Sequence, residues 1–140
     1  MLLIGEYSHN VDAKGRMIMP SRFREILGET FIVTKGLDNC LFVYSMQEWE
    51  ILEDKIKNLP LSKSRKLQRF FFAGASVAEP DKQGRIVIPA NLRQYAGLEK
   101  DVIVTGASTH VEIWDKDRWA EQVEGLTAES IEEAMDEIGF

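Results

Sequence analysis

Apolar residues in this chain fall mostly in short runs bounded by turn residues. The runs at 17–19, 31–34, 40–44, 86–88, 102–105 and 111–114 are rich in β-branched and aromatic residues, and their length predicts strands. Helical spacing appears elsewhere. Trp49, Leu52, Ile56 and Leu59 form an apolar stripe behind Ser45, with Glu48 completing a capping box and Pro60 as the stop. Asp115 is placed to cap a matching helix in which Trp119 and Val123 face inward. The segment 62–74 reads as a joining helix, basic at first and then aromatic through Phe70-Phe71-Phe72. Residues 127–138 read as an acidic helix with Ile131, Met135 and Ile138 on one side.

The pattern repeats. Asp12-Ala13-Lys14-Gly15-Arg16-Met17-Ile18-Met19-Pro20 aligns with Asp81-Lys82-Gln83-Gly84-Arg85-Ile86-Val87-Ile88-Pro89 at an offset of 69. The same offset pairs Gly5 with Gly74, Arg24 with Arg93 and Gly28 with Gly97, and an offset of 70 pairs Tyr44 with Trp114 and Trp49 with Trp119. The period is too long for a solenoid unit and marks a duplicated half-domain. Each half has a strand, then a turn in which Gly15 or Gly84 suits a positive φ, then a short strand. A proline follows that fits the first turn of a helix over 20–27 or 89–96, and Gly28 or Gly97 stands at its C-cap.

A half of about 70 residues has little core of its own. Two halves can interlock their strands into one closed sheet, which also removes free edges. The expected fold is therefore α+β and β-rich, a pseudo-two-fold β-barrel with helices around it. It forms a single compact domain, with a first repeat at 1–60, a connecting helix at 61–74, a second repeat at 75–124 and an acidic helix at 125–140.

Charge alters the picture only through its distribution. The net charge of −6 argues against a polyanionic partner, but residues 115–140 hold nine acids against two bases, whereas the other 114 residues hold 14 acids against 15 bases. The body of the chain can present a basic face, and the acidic segment opposes nonspecific binding. No apolar run approaches the roughly 20 residues of a membrane span. The N-terminal residues lack a basic start, so a signal peptide is not expected and the expected location is cytoplasmic. The single cysteine, Cys40, excludes an intramolecular disulfide and reads as a small apolar strand residue. With no HxxxH or CxxC spacing, neither a metal nor another cofactor is expected.

Sequence motifs of nucleotide-binding and hydrolytic enzymes are absent. Asp12 and Asp81 form a conceivable carboxylate pair, but an Asp four residues before an Arg across a glycine turn more simply bonds that turn or that Arg. The basic residues say more. Lys14, Arg16, Arg22 and Arg24 cluster in the first half, echoed by Lys82, Arg85 and Arg93. A two-stranded ribbon fits a major groove, where arginine can bond guanine O6 and N7 while neighbouring bases hold phosphates. The same residues also fit a solvated charged face with a structural Asp–Arg pair. The basic stretch 63–69 is explained by an aromatic run docking into the core, with DNA contact the lesser alternative.

The two Asp-x-x-x-Arg motifs, Asp12…Arg16 and Asp81…Arg85, each with glycine before arginine and a helix-opening proline, resemble the MraZ family and, more broadly, the AbrB/SpoVT-like DNA-binding superfamily. The opening 4–12 and the run Lys14-Gly15-Arg16-Met17-Ile18-Met19-Pro20 fit it too, and the resemblance covers nearly the whole chain. It implies a swapped-hairpin or double-split β-barrel. It also implies a bacterial transcriptional regulator, usually a repressor, of the division and cell-wall gene cluster containing its own gene. The implied partners are double-stranded promoter DNA with tandem short repeats and further copies of the chain in a ring-shaped homo-oligomer on the nucleoid. By that resemblance Arg16 leads the DNA contacts, with Lys14, Arg22 and Arg24 nearby. Arg85 and Arg93 form the matching set, and Arg85 serves either DNA or structure. Asp12, Gly15, Asp81 and Gly84 shape the turns. Gln83 and Asn91, standing where the first copy has Lys14 and Arg22, weaken the second motif. The competing reading is an interaction scaffold that binds no DNA.

Overall fold

A computed structural model describes residues 2–139. The first half comprises β1 (Glu6–Asn10), β2 (Arg16–Ile18), α1 (Ser21–Leu27), β3 (Phe31–Lys35), β4 (Leu41–Ser45) and α2 (Met46–Lys57). The second comprises β5 (Ser76–Ala78), β6 (Arg85–Val87), α4 (Ala90–Ala96), β7 (Asp101–Gly106), β8 (Val111–Asp115) and α5 (Lys116–Glu124). Between the halves lies α3 (Leu61–Leu67), which widens into a π-helical turn, Gln68–Phe72. The last described helix is α6 (Ala128–Glu137). The fold is α+β, built on a six-stranded antiparallel sheet and a separate two-stranded ribbon.

Strand order in the large sheet is β1-β7-β8-β4-β3-β5. The halves therefore exchange their outer strands: β1 pairs with β7 of the second half, and β5 pairs with β3 of the first. The registers are symmetric. Tyr7 faces Val104 as its counterpart Ser76 faces Val33. In the ribbon Met17 faces Ile86, its own repeat counterpart, so a local two-fold axis passes through that pair. The same axis runs between β4 and β8 at Phe42 and Glu112.

Both faces of the large sheet are covered, which is why its central strands read as almost continuous apolar runs. Side chains alternate from one face to the other. Phe31, Val33, Leu41, Val43, Val102, Val104, Val111 and Ile113 face the main core. There they meet Met17, Met19, Ile86 and Ile88 beneath the ribbon, Phe23 and Leu27 of α1, and Leu92 and Ala96 of α4. Truncating a side chain such as Phe31 in this core costs about 3–5 kcal/mol by the usual scale for phenylalanine. The opposite face packs Ile32, Phe42, Ile103 and Trp114 against Trp49, Ile56 and Phe71.

The local signals work much as the sequence indicates. Ser45 Oγ accepts from the Glu48 N–H at 3.2 Å, and Asp115 Oδ2 accepts from the Arg118 N–H at 3.2 Å. Pro20 and Pro89 sit one place earlier than expected, as N-caps with extended ψ, while Gly28 and Gly97 stand at the C-caps. Some stripe residues depart from expectation. Val123 is 45% exposed rather than turned inward, and every described residue that follows Trp119, the last side chain of α5 packed against the core, is exposed as well. Leu59 lies past the end of α2 and is also exposed. Cys40 is buried just before β4, and burial pushes its thiol up to about 12, so it stays protonated as an apolar side chain would. No helix among the described residues is long and apolar enough to cross a membrane.

Candidate nucleic-acid interface

The two Asp-x-x-x-Arg turns are the same structure built twice. In the first, the Asp12 N–H donates to the Arg16 carbonyl at 2.9 Å and the Gly15 N–H donates to the Asp12 carbonyl at 2.9 Å. Gly15 takes φ 80°, the left-handed conformation that closes a hairpin of this length. Asp12 Oδ1 accepts from the N–H groups of Lys14 and Arg16, both at 2.9 Å, and Oδ2 accepts from Arg16 Nε at 2.7 Å. Asp81 repeats this with Gln83, Arg85 and Arg85 Nε at 2.9, 2.9 and 2.8 Å, around Gly84 at φ 80°.

These bonds decide the role of the two carboxylates. The backbone N–H of Arg16 is the main cause holding Asp12 below the ordinary aspartate range, opposed by some desolvation and aided by the Arg16 side chain and the Lys14 N–H. The Arg85 N–H leads the same set at Asp81. A general-acid pair needs one raised carboxyl in a shared cleft, and neither condition is met. A hollow of about 710 Å3 beside Asp81 is lined by Arg24, Glu25, Glu29 and Glu79, and Asp12 takes no part in it.

The ribbon presents the arginines. With Met17 and Ile86 buried below, Arg16, Ile18, Arg85 and Val87 point away from the core. Arg16 stands opposite Val87 and Arg85 opposite Ile18, so the outer face carries two arginines related by the local axis with exposed apolar side chains between them. Each guanidinium is fixed by its Nε bond to aspartate. Its two Nη nitrogens carry no hydrogen bond to any described residue and are the end-on donors suited to a guanine edge.

Arg24 and Arg93 occupy a different place, and nothing in the sequence marked it. Arg24 Nε donates to the Met19 carbonyl at 2.9 Å, and Arg93 Nε donates to the Ile88 carbonyl at 2.9 Å. Each guanidinium then lies over the turn glycine of the opposite half. A Cβ on Gly84 would stand 2.6 Å from Arg24 Cζ, and one on Gly15 would stand 2.9 Å from Arg93 Cζ. The Met19 N–H to Gly84 carbonyl bond (3.0 Å) and the Ile88 N–H to Gly15 carbonyl bond (2.8 Å) tie the same partners together. The arginine of each helix thus buttresses the turn of the other copy. The geometry could have been anticipated only by knowing that the halves cross.

Lys14 and Lys82 are exposed in their turns, one residue out of register with each other, and Arg22 is exposed on α1 where the second copy has Asn91 on α4. Among the described residues there is no cluster of side chains able to hold a metal ion.

The chain is a duplicated α+β fold that spends its candidate carboxylates on its own turns and displays arginines on a ribbon. Comparison with known proteins gives the family. The chain matches the family described as "MraZ protein, putative antitoxin-like" twice, over residues 2–69 and 71–138, one match to each half. It is 59% identical to the transcriptional regulator MraZ of Acetivibrio thermocellus over 99% of this chain and 100% of that protein. The corresponding proteins of Caldicellulosiruptor bescii and Clostridium tetani are 55% and 52% identical over the same shares. This chain belongs to the MraZ family, a family of transcriptional regulators and not of enzymes.

Proposed function

We propose that this chain is a sequence-specific DNA-binding transcriptional regulator that reads DNA with the β2–β6 ribbon. The observation that carries the reading is the pair of outward arginines, each oriented by aspartate with both Nη nitrogens unspent. Orientation before binding reduces the entropy lost on contact. Arg16 and Arg85 are the base-facing residues, Lys14 and Arg22 supply phosphate contacts, and Arg24 and Arg93 hold the turns beneath them. Asp12, Gly15, Asp81 and Gly84 are the turn scaffold.

The strand exchange supports reading the fold as a swapped-hairpin, double-split barrel with pseudo-two-fold symmetry. In this view the whole chain is one domain of two repeats, 1–60 and 75–124, joined by 61–74 and followed by the acidic helical segment 125–140. The biological role that fits the family is repression of the division and cell-wall gene cluster, on the nucleoid in the cytoplasm. A ring of copies would engage tandem short promoter repeats. One ribbon offers few base contacts, and linked copies gain avidity without any new contact type.

The test is Arg16→Ala in gel shifts on the DNA upstream of the chain's own gene and on random DNA. The variant is expected to lose operator binding while keeping its size-exclusion volume and thermal stability, and the wild type to show affinity falling steeply with salt. Undiminished operator binding by Arg16→Ala overturns the ribbon as reader. Equal affinity of the wild type for both DNAs favours a protein-binding scaffold.

A further inference from the structure

Two exposed segments of this chain are complementary in charge and in apolar character. Residues 55–69, from the end of α2 through α3, contain Lys55, Lys57, Lys63, Arg65, Lys66 and Arg69 and no acid. All six bases are exposed, and so are Leu59 and Leu61, the latter at 72%. Helix α6 is the reverse: Glu129, Glu132, Glu133, Asp136 and Glu137 with no base, beside a stripe of Ile131, Met135 and Ile138. That stripe is exposed along with Leu126 and Val123.

Neither surface is satisfied within one chain. Every described residue from 120 to 139 is exposed, so α6 is not seated on its own basic segment. The duplication sharpens this. The family match over 71–138 makes α6 the counterpart of the α3 region in the match over 2–69. In the first half that region is seated on the core, with Ser64 buried and Leu67 packed against the cluster around Trp49. In the second half every described residue of α6 is exposed, although its apolar spacing is that of a packing helix.

We infer that α6 of one copy docks on the basic 55–69 surface of the next, laying Ile131 and Met135 on Leu59 and Leu61 while its acids face the lysines and arginines. The contact joins two different surfaces, so it is heterologous and propagates around a ring when the rotation closes. It also covers the basic segment with protein, leaving the ribbon as the cationic face for DNA. This inference rests on the homo-oligomeric reading above and supplies its interface.

Paired charge reversal in the full-length protein tests it, with mass read by light scattering. Glu132→Lys with Glu133→Lys makes α6 basic at those positions, and Lys63→Glu with Lys66→Glu makes the α3 surface acidic. All four positions are exposed, so the fold is expected to persist, and circular dichroism checks it. Each variant alone is expected to lose most of the assembly. An equimolar mixture is expected to regain the wild-type mass, because each altered surface then finds an opposite one. Met135→Glu, an independent apolar variant, is expected to lower the mass as well. The inference is overturned if a variant keeps the wild-type mass, if the mixture stays dissociated, or if the wild type is itself a monomer. It also falls if the Lys63 and Lys66 variant loses DNA affinity at unchanged mass, since the segment then serves DNA. Failure of the ribbon reading looks different: Arg16→Ala is expected to keep the wild-type mass whatever happens here.

Discussion

The turns at 12–16 and 81–85 agree bond for bond, with matching aspartate contacts to the backbone and to arginine Nε. They differ in what surrounds them. The first copy carries Lys14 where the second has Gln83, but the second has Lys82 where the first has Ala13, so each turn holds one lysine, displaced by one residue. The net difference in cations is Arg22 on α1 against Asn91 on α4. Sequence alone made the second copy look depleted. The structure makes it an equal in geometry with one exposed cation fewer, and that is a narrower asymmetry with sharper consequences.

The largest expected effect compares the two ribbon arginines. Arg16→Ala is expected to cost more operator affinity than Arg85→Ala. The loss for Arg16 on a single DNA repeat should be ~1–3 kcal/mol, roughly 5–150-fold, measured by fluorescence anisotropy. Equal losses would break the asymmetry and make the two copies equal readers. Next come the buttressing arginines, where the crossing of the halves reverses the intuitive order. Arg93 lies under the first copy's turn, so Arg93→Ala is expected to weaken binding more than Arg24→Ala. The expected loss is about 0.5–1.5 kcal/mol, roughly 2–12-fold, from lost preorganisation. The slope of log affinity against log salt should not change, because no phosphate contact is removed. A slope smaller by about 0.9 would identify Arg93 as a phosphate ligand instead.

A smaller effect belongs to α1 and α4. Arg22→Asn is expected to lower the salt slope by about 0.9 with little change in sequence preference, and Asn91→Arg to raise it by a similar amount. The smallest is in pH. Both Asp12 and Asp81 are held below the ordinary aspartate range, so their contribution to the turns is present above pH ~3.9 and is lost as pH falls through the lowered values. Carboxyl NMR should show the two titrating together. Separate titration would mean the turns are unequal in solution.

Much of the fold was legible in local pattern. The turn glycines, the helix-opening prolines, the Ser45 and Asp115 caps and the apolar runs all fall within a residue or two of the elements they predict. These signals depend on neighbours in sequence, so a linear reading captures them. Partner choice does not. Nothing in residues 6–10 says that they pair with 101–105 rather than with their own half, and the places of Arg24 and Arg93 follow from that choice. The same limit explains Val123 and the stripe of α6. Periodicity reports that a helix has an apolar side, but not whether its own chain supplies the surface to cover it.

The exchange of β1 and β5 also bears on how the chain is made. As the polypeptide leaves the ribosome, Glu6–Asn10 emerges early, but its partner Asp101–Gly106 emerges only after most of the chain. At ~5–20 residues per second, that strand waits roughly 5–20 s without its hydrogen-bonding partner. The ribbon waits similarly, since Arg16–Ile18 needs Arg85–Val87. Arg16 therefore has no finished surface from which to act until the second half has been synthesised, and a truncated translation product would carry the first motif without the strand that displays it.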